Sequence, residues 1–136
     1  MSNTFTKEER AAMRAALAEA KAAKEGADLA AACRQAIAEM SGTDRELAEA
    51  VHELVTQHTD LRPKTWYGMP AYTNEQGKVV VFFQSAAKFK VRYATLGFQE
   101  AAHLDDGHLW PTSYAITRLT AAEKKRVVEL LRAAVS

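Results

Sequence analysis

The stretch Trp66-Tyr67-Gly68-Met69-Pro70-Ala71-Tyr72 restricts what this chain can fold into more than any other. Gly68 opens a backbone region barred to most residues, while Pro70 fixes its own φ and drives Met69 towards extended backbone. The chain must bend here, carrying three aromatic rings and a methionine around one turn. Aromatic rings commonly serve as packing mass, which suits them to cap a sheet. Because Trp and Tyr join a polar tip to an apolar body, they equally suit the wall of a ligand pocket. The bend also divides the chain, with helical spacing before Pro63 and strand patterning after it.

Upstream, Thr6 with Glu9 and Thr43 with Glu46 fit the capping box, as does Thr120 with Glu123 near the other end. A first helix is expected over 7–24, with Met13, Leu17 and Ala20 on its inner side and Gly26 ending it. A second runs over 28–40 on Leu29, Cys33, Ile37 and Met40, until Ser41-Gly42 stops it. A third covers 44–58, with Leu47, Val51, Leu54, Val55 and His58 as its apolar stripe. Alanine supplies 27 of the residues behind the 48% hydrophobic content, so the composition favours helix more than a large core.

Downstream, the β-branched and aromatic run over 79–83 is apolar on both faces, as in an inner strand. Lys88-Phe89-Lys90-Val91-Arg92-Tyr93 then alternates, which predicts a strand with Phe89, Val91 and Tyr93 inward and Lys88, Lys90 and Arg92 outward. Asp106-Gly107 signals a tight turn, 114–117 a short strand, and 121–135 a closing helix that buries Val127, Leu130, Leu131 and Ala134. The expected fold is one α+β domain over 1–136, with N-terminal helices, a small mostly antiparallel sheet and a C-terminal helix.

Charge and motifs narrow the chemistry. Net charge is +1, yet residues 1–60 carry −4 and residues 61–92 carry +5. The cations Lys88, Lys90 and Arg92, with Lys64 and Lys78 near them, suit either a solvated strand face or a grip on phosphate or carboxylate. No nucleic-acid motif accompanies them, which weighs against nucleic acid as partner. His103-Leu104-Asp105-Asp106-Gly107-His108 gathers metal-ligand types, but Asp-Asp-Gly is what a turn needs. His52 and His58 lie six apart on a helix, the wrong spacing for a shared metal. Cys33, on a helix stripe, reads as an inert buried thiol. With one cysteine there is no internal disulfide, so a cytoplasmic location is expected. No signal-like apolar stretch opens the sequence, and 79–83 is too short to cross a bilayer, so no membrane partner is expected. Phosphate loops, nucleophile elbows and zinc-protease motifs are missing, which points away from an enzyme.

The Trp66–Tyr72 string, Gly77-Lys78 ahead of the 79–83 strand, 88–98, Leu104-Asp105-Asp106-Gly107 and Trp110-Pro111-Thr112-Ser113-Tyr114-Ala115 together resemble the YdhG-like family of bacterial domains. The likeness covers about 43–135 and leaves 1–42 as a helical extension. It implies a small sandwich of the frataxin type, and because at least one family member is regarded as an iron chaperone, a non-enzymatic iron-carrying role. Acids on a helix would then hold the metal, with Glu46, Glu49 and Glu53 as candidates.

Two functional expectations result. One is a binding or carrier module for iron or a small ligand, with Trp66, Tyr67, Met69, Tyr72, Lys88, Lys90, Arg92 and Trp110 as candidate ligand contacts. The other is an interaction module whose basic, aromatic sheet face takes a protein partner, a second copy in a homodimer, or nucleic acid.

Overall fold

The computed structural model describes residues 5–136. Helix α1 spans Lys7–Ala38, so the two helices expected on either side of Gly26 are one element of 32 residues. A glycine inside a helix costs only about 1 kcal/mol relative to alanine, and the flanking Ala, Lys and Glu residues outweigh it. The Thr6–Glu9 capping box forms as expected. The inner side assigned to Met13, Leu17 and Ala20 does not exist: every residue over 7–29 is exposed, Leu17 at 71%. Only the last turns are anchored, through Cys33 and Ile37.

Helix α2, Gly42–His58, buries Leu47, Ala48, Val51 and Val55, while His58 of the predicted stripe is exposed. It starts one residue before Thr43, so the Thr43–Glu46 box is not made, and Ser41 stands at the N-cap without a side-chain bond. Helix α4, Ala121–Val135, has the expected reciprocal bonds between Thr120 and Glu123 and buries Val127, Leu131 and Ala134, with Leu130 partly buried.

Strands β1 (Arg62–Trp66), β2 (Met69–Thr73), β3 (Val79–Gln84), β4 (Ala94–Phe98) and β5 (Ser113–Ile116) form one sheet in the order β1-β2-β3-β4-β5. Every neighbouring pair is antiparallel, which makes the architecture α+β. The bend at Tyr67-Gly68 is a two-residue hairpin loop closed by Trp66↔Met69. Both loop residues have positive φ, 50° and 76°, as a type I′ turn requires. Pro70 has no N–H to offer, and the β2–β3 ladder begins one residue past it, at Ala71↔Phe82.

Register assigns the two faces. Pro63, Tyr72, Val81 and Phe98 lie opposite one another in successive strands, and the last three are at most 4% exposed beneath the helices. One residue along, Lys64, Ala71, Phe82, Gly97 and Ser113 make the matching row on the other face. There Lys64, Trp66 and Phe82 are half-buried and Ser113 is exposed.

The predicted 88–93 strand is replaced by helix α3, Ala86–Phe89, and a left-handed Lys90 with φ of 55°. The cause is tertiary. The Asp44 carboxylate of α2 accepts from the Ala86 and Ala87 amides at 2.9 and 3.0 Å, capping α3 from another element. Alternation therefore has no sheet to obey, and Phe89 and Val91, expected inward, are each 46% exposed. The Gly107 turn forms with φ of 64°, within the long β4–β5 connection. That connection is tied to the end of α4: the His103 amide donates to the Ala134 carbonyl at 2.9 Å and its ring Nδ1–H to that of Ser136 at 2.7 Å. Among the described residues no helix is long and apolar enough to cross a membrane.

Candidate functional site

The hairpin loop and α3 meet at one corner of the molecule, and between them and the end of α1 lies a cleft of about 370 Å³. Met40 and Met69 supply apolar wall, Ser85 and Lys88 polar wall, with Glu39 and Asp44 adding carboxylates. The volume falls at the small end of ligand pockets. Lys88 Nζ lies 3.1 Å from where a Cβ on Gly68 would stand, so a side chain at 68 would crowd the ammonium. Among the described residues the one ion pair is Arg45–Glu49, which leaves Lys88 without a carboxylate partner. Ser85 occupies the N-cap position of α3 but makes no capping bond, because Asp44 already holds those amides. Its hydroxyl is thereby left to the cleft wall.

Of the eight candidate ligand contacts, this cleft brings together Met69 and Lys88. Tyr72 lies in the core at 0% exposure, and Tyr67 stands 80% exposed at the hairpin apex. Trp66 sits on the helix-free sheet face, its ring 5.3 Å from that of Phe82. Lys90 caps α3, and Arg92 lies over the Tyr93 ring at 5.4 Å, lining an adjoining cleft of about 540 Å³ that shares Ser41, Asp44 and Ala87 with the first. Trp110 is half-buried in the approach to β5, away from the turn's ring contacts. The outward cationic ladder of Lys88, Lys90 and Arg92 dissolves with the strand that was to carry it.

The acids do not gather either. Glu46, Glu49 and Glu53 are exposed on α2, Glu49 is engaged by Arg45 at 2.9 Å, and Glu53 accepts from Gln57 at 3.2 Å. Among the described residues no three His, Cys, Asp or Glu side chains are placed to hold a metal ion, the His103–His108 stretch included.

A buried polar cluster joins α1, α2 and β2. The Tyr72 hydroxyl meets His52 Nδ1 at 2.9 Å, and Cys33 Sγ lies 3.9 Å from the same nitrogen. Burial pushes the Tyr72 phenol far above its ordinary range, with Cys33 adding to it, so the hydroxyl keeps its proton in its contact with Nδ1. Burial, then the Arg34 charge, lowers the His52 pKa and holds the ring neutral and able to accept. Burial likewise raises the Cys33 thiol. With the thiol at 0% exposure and its pKa raised, the cluster pairs polar groups within the core.

Sequence reasoning missed Asp44 and Ser85, whose roles depend on which loop α2 meets, and Phe82, hidden in a run that is apolar on both faces. In comparisons with known proteins, the chain matches no family model, no curated protein and no solved structure.

Proposed function

We propose that this chain is a non-catalytic binding module for a small polar ligand held in the cleft between the end of α1, the Tyr67-Gly68 turn and α3. The observation that carries the reading is Lys88: an ammonium without an ion-pair partner among the described residues, facing a cleft beside the uncapping Ser85 hydroxyl. Lys88 suits an anionic group on the ligand, Glu39 a donor or cationic one, and Met40 with Met69 a short apolar segment. A ligand bearing both charges fits this set best. Asp44 spends both oxygens on backbone amides, so the cleft's buried carboxylate is not free to act as a general base.

The resemblance to the YdhG-like domains adds an iron-carrying reading through Glu46, Glu49 and Glu53. Support for it is the likeness alone, since those carboxylates are spread along an exposed helix face. The single free thiol suits the reducing cytoplasm. Calorimetric titration with glutamate, succinate and inorganic phosphate tests the cleft. Saturable heat that disappears in Lys88→Ala and persists in Lys90→Ala is expected; no heat from any of the three, or binding unchanged in Lys88→Ala, overturns it. Ferrous iron titrated into wild type and a Glu46→Gln/Glu49→Gln/Glu53→Gln variant decides the metal reading, which fails if both traces are flat.

A further inference from the structure

The helix-free face of the sheet carries a feature the cleft does not explain. Three rings make a continuous row: Tyr67 to Trp66 at 5.0 Å, edge-on, then Trp66 to Phe82 at 5.3 Å. The row reaches β4 because the Phe82 ring lies across Gly97, where any Cβ would collide with it. Small Ala71, between the strands that carry Trp66 and Phe82, lets those rings meet. Beside the row runs a groove of about 360 Å³ bordered by Lys64, Trp66, Lys78, Gln99 and Glu100. Neither lysine has an ion-pair partner among the described residues.

Tyr67 is the informative member. The first position of a type I′ turn favours Asn, Asp or Gly, and a bulky residue with φ of 50° is strained there. A side chain left 80% exposed repays little of that strain through burial. Backbone outliers kept without a folding benefit point to function. We propose that the Tyr67–Trp66–Phe82 row stacks bases of single-stranded nucleic acid, with Lys64 and Lys78 on the phosphates.

The chemistry favours that occupant. Aromatic rings in series accept successive base faces, which a duplex keeps inside its own stack, and stacking tolerates any base sequence. Lys64 and Lys78 border the groove beside the rings, where they suit the phosphates of a polyanion. Glu100 also borders the groove and repels phosphate from its own part of it. No sequence motif announces such a site, because its rings come from a turn and a strand brought together only by the β2 register.

Anisotropy titration with labelled oligothymidylate and oligouridylate at about 50 mM and about 200 mM salt tests the proposal. Expected is saturable binding that weakens with salt. Tyr67→Asn, exposed and compatible with the turn, should lower affinity roughly 5- to 10-fold through the lost stacking partner. Lys64→Gln should reduce the slope of log K against log salt by about 0.7. Lys64→Gln, outside the cleft lining, should leave the small-ligand heat unchanged, so the two sites fail separately. No saturable binding to either oligonucleotide at the lower salt overturns the proposal. So does binding that heparin matches and Tyr67→Asn leaves intact, which would mark a polyanion patch alone.

Discussion

Phe82 and Phe83 are neighbours in one strand and live in different solvents. Phe83 points beneath the helices at 0% exposure, among Val51, Leu96 and Leu131 of the core. Phe82 points the other way, half-buried, lying over Gly97 and touching Trp66. The period-2 geometry of a strand sends the two rings to opposite faces, although Val80, on the Phe82 side, is itself core at 2% exposure. The helix-covered face shows fully paired polar groups and apolar fill. The open face shows rings, lysines without an ion-pair partner among the described residues, and a strained turn.

Breaking the comparison at its strongest point means truncating the buried ring. Phe83→Ala should cost about 3–5 kcal/mol in urea unfolding, against about 1–2 kcal/mol for Phe82→Ala, which leaves no enclosed cavity. Equal losses would mean that both faces are core. Next comes the contact that removed the predicted strand. Asp44→Ala strips two charge-assisted bonds from the Ala86 and Ala87 amides and should cost about 2–3 kcal/mol. Hydrogen exchange should then speed up over 86–90 more than in β3.

A smaller effect is expected from pH. The folded-state pKa of His52 lies below the unfolded value of 6.5. Below about pH 6.5 the unfolded chain therefore binds more protons, and stability falls as pH drops from there through the folded pKa. Comparison of wild type with His52→Gln between about pH 7 and pH 5 should show a shallower decline in the variant. Parallel curves would mean that folding leaves the pKa of the ring unchanged.

Much of the helix-covered side was legible in the chain. The Thr6–Glu9 and Thr120–Glu123 boxes, the α2 stripe from Leu47 to Val55 and the 79–83 strand follow from local chemistry, which acts wherever the chain goes. Gly26 misled because one glycine is a weak stop in an alanine-rich run. Met13 and Leu17 misled because helical spacing shows a stripe without showing whether anything covers it. At 88–93 the alternation is genuine, but the Asp44 carboxylate reaches that segment from α2, a pairing no local pattern encodes. The site was legible only in parts. Gly68 marked the turn and Met69 and Lys88 were among the candidates, whereas Ser85 and Phe82 acquire meaning only through register and packing.

On the stacking proposal, Tyr67 is held in its left-handed conformation for the open face and contributes nothing essential to the fold. Urea denaturation of wild type and Tyr67→Asn tests it most directly. Asparagine suits the turn, so its relief of strain should match or exceed the lost edge contact with Trp66, and stability should stay equal or rise by up to about 1 kcal/mol. A loss of more than about 1 kcal/mol would contradict the account, because it would make Tyr67 a structural residue of the helix-free face.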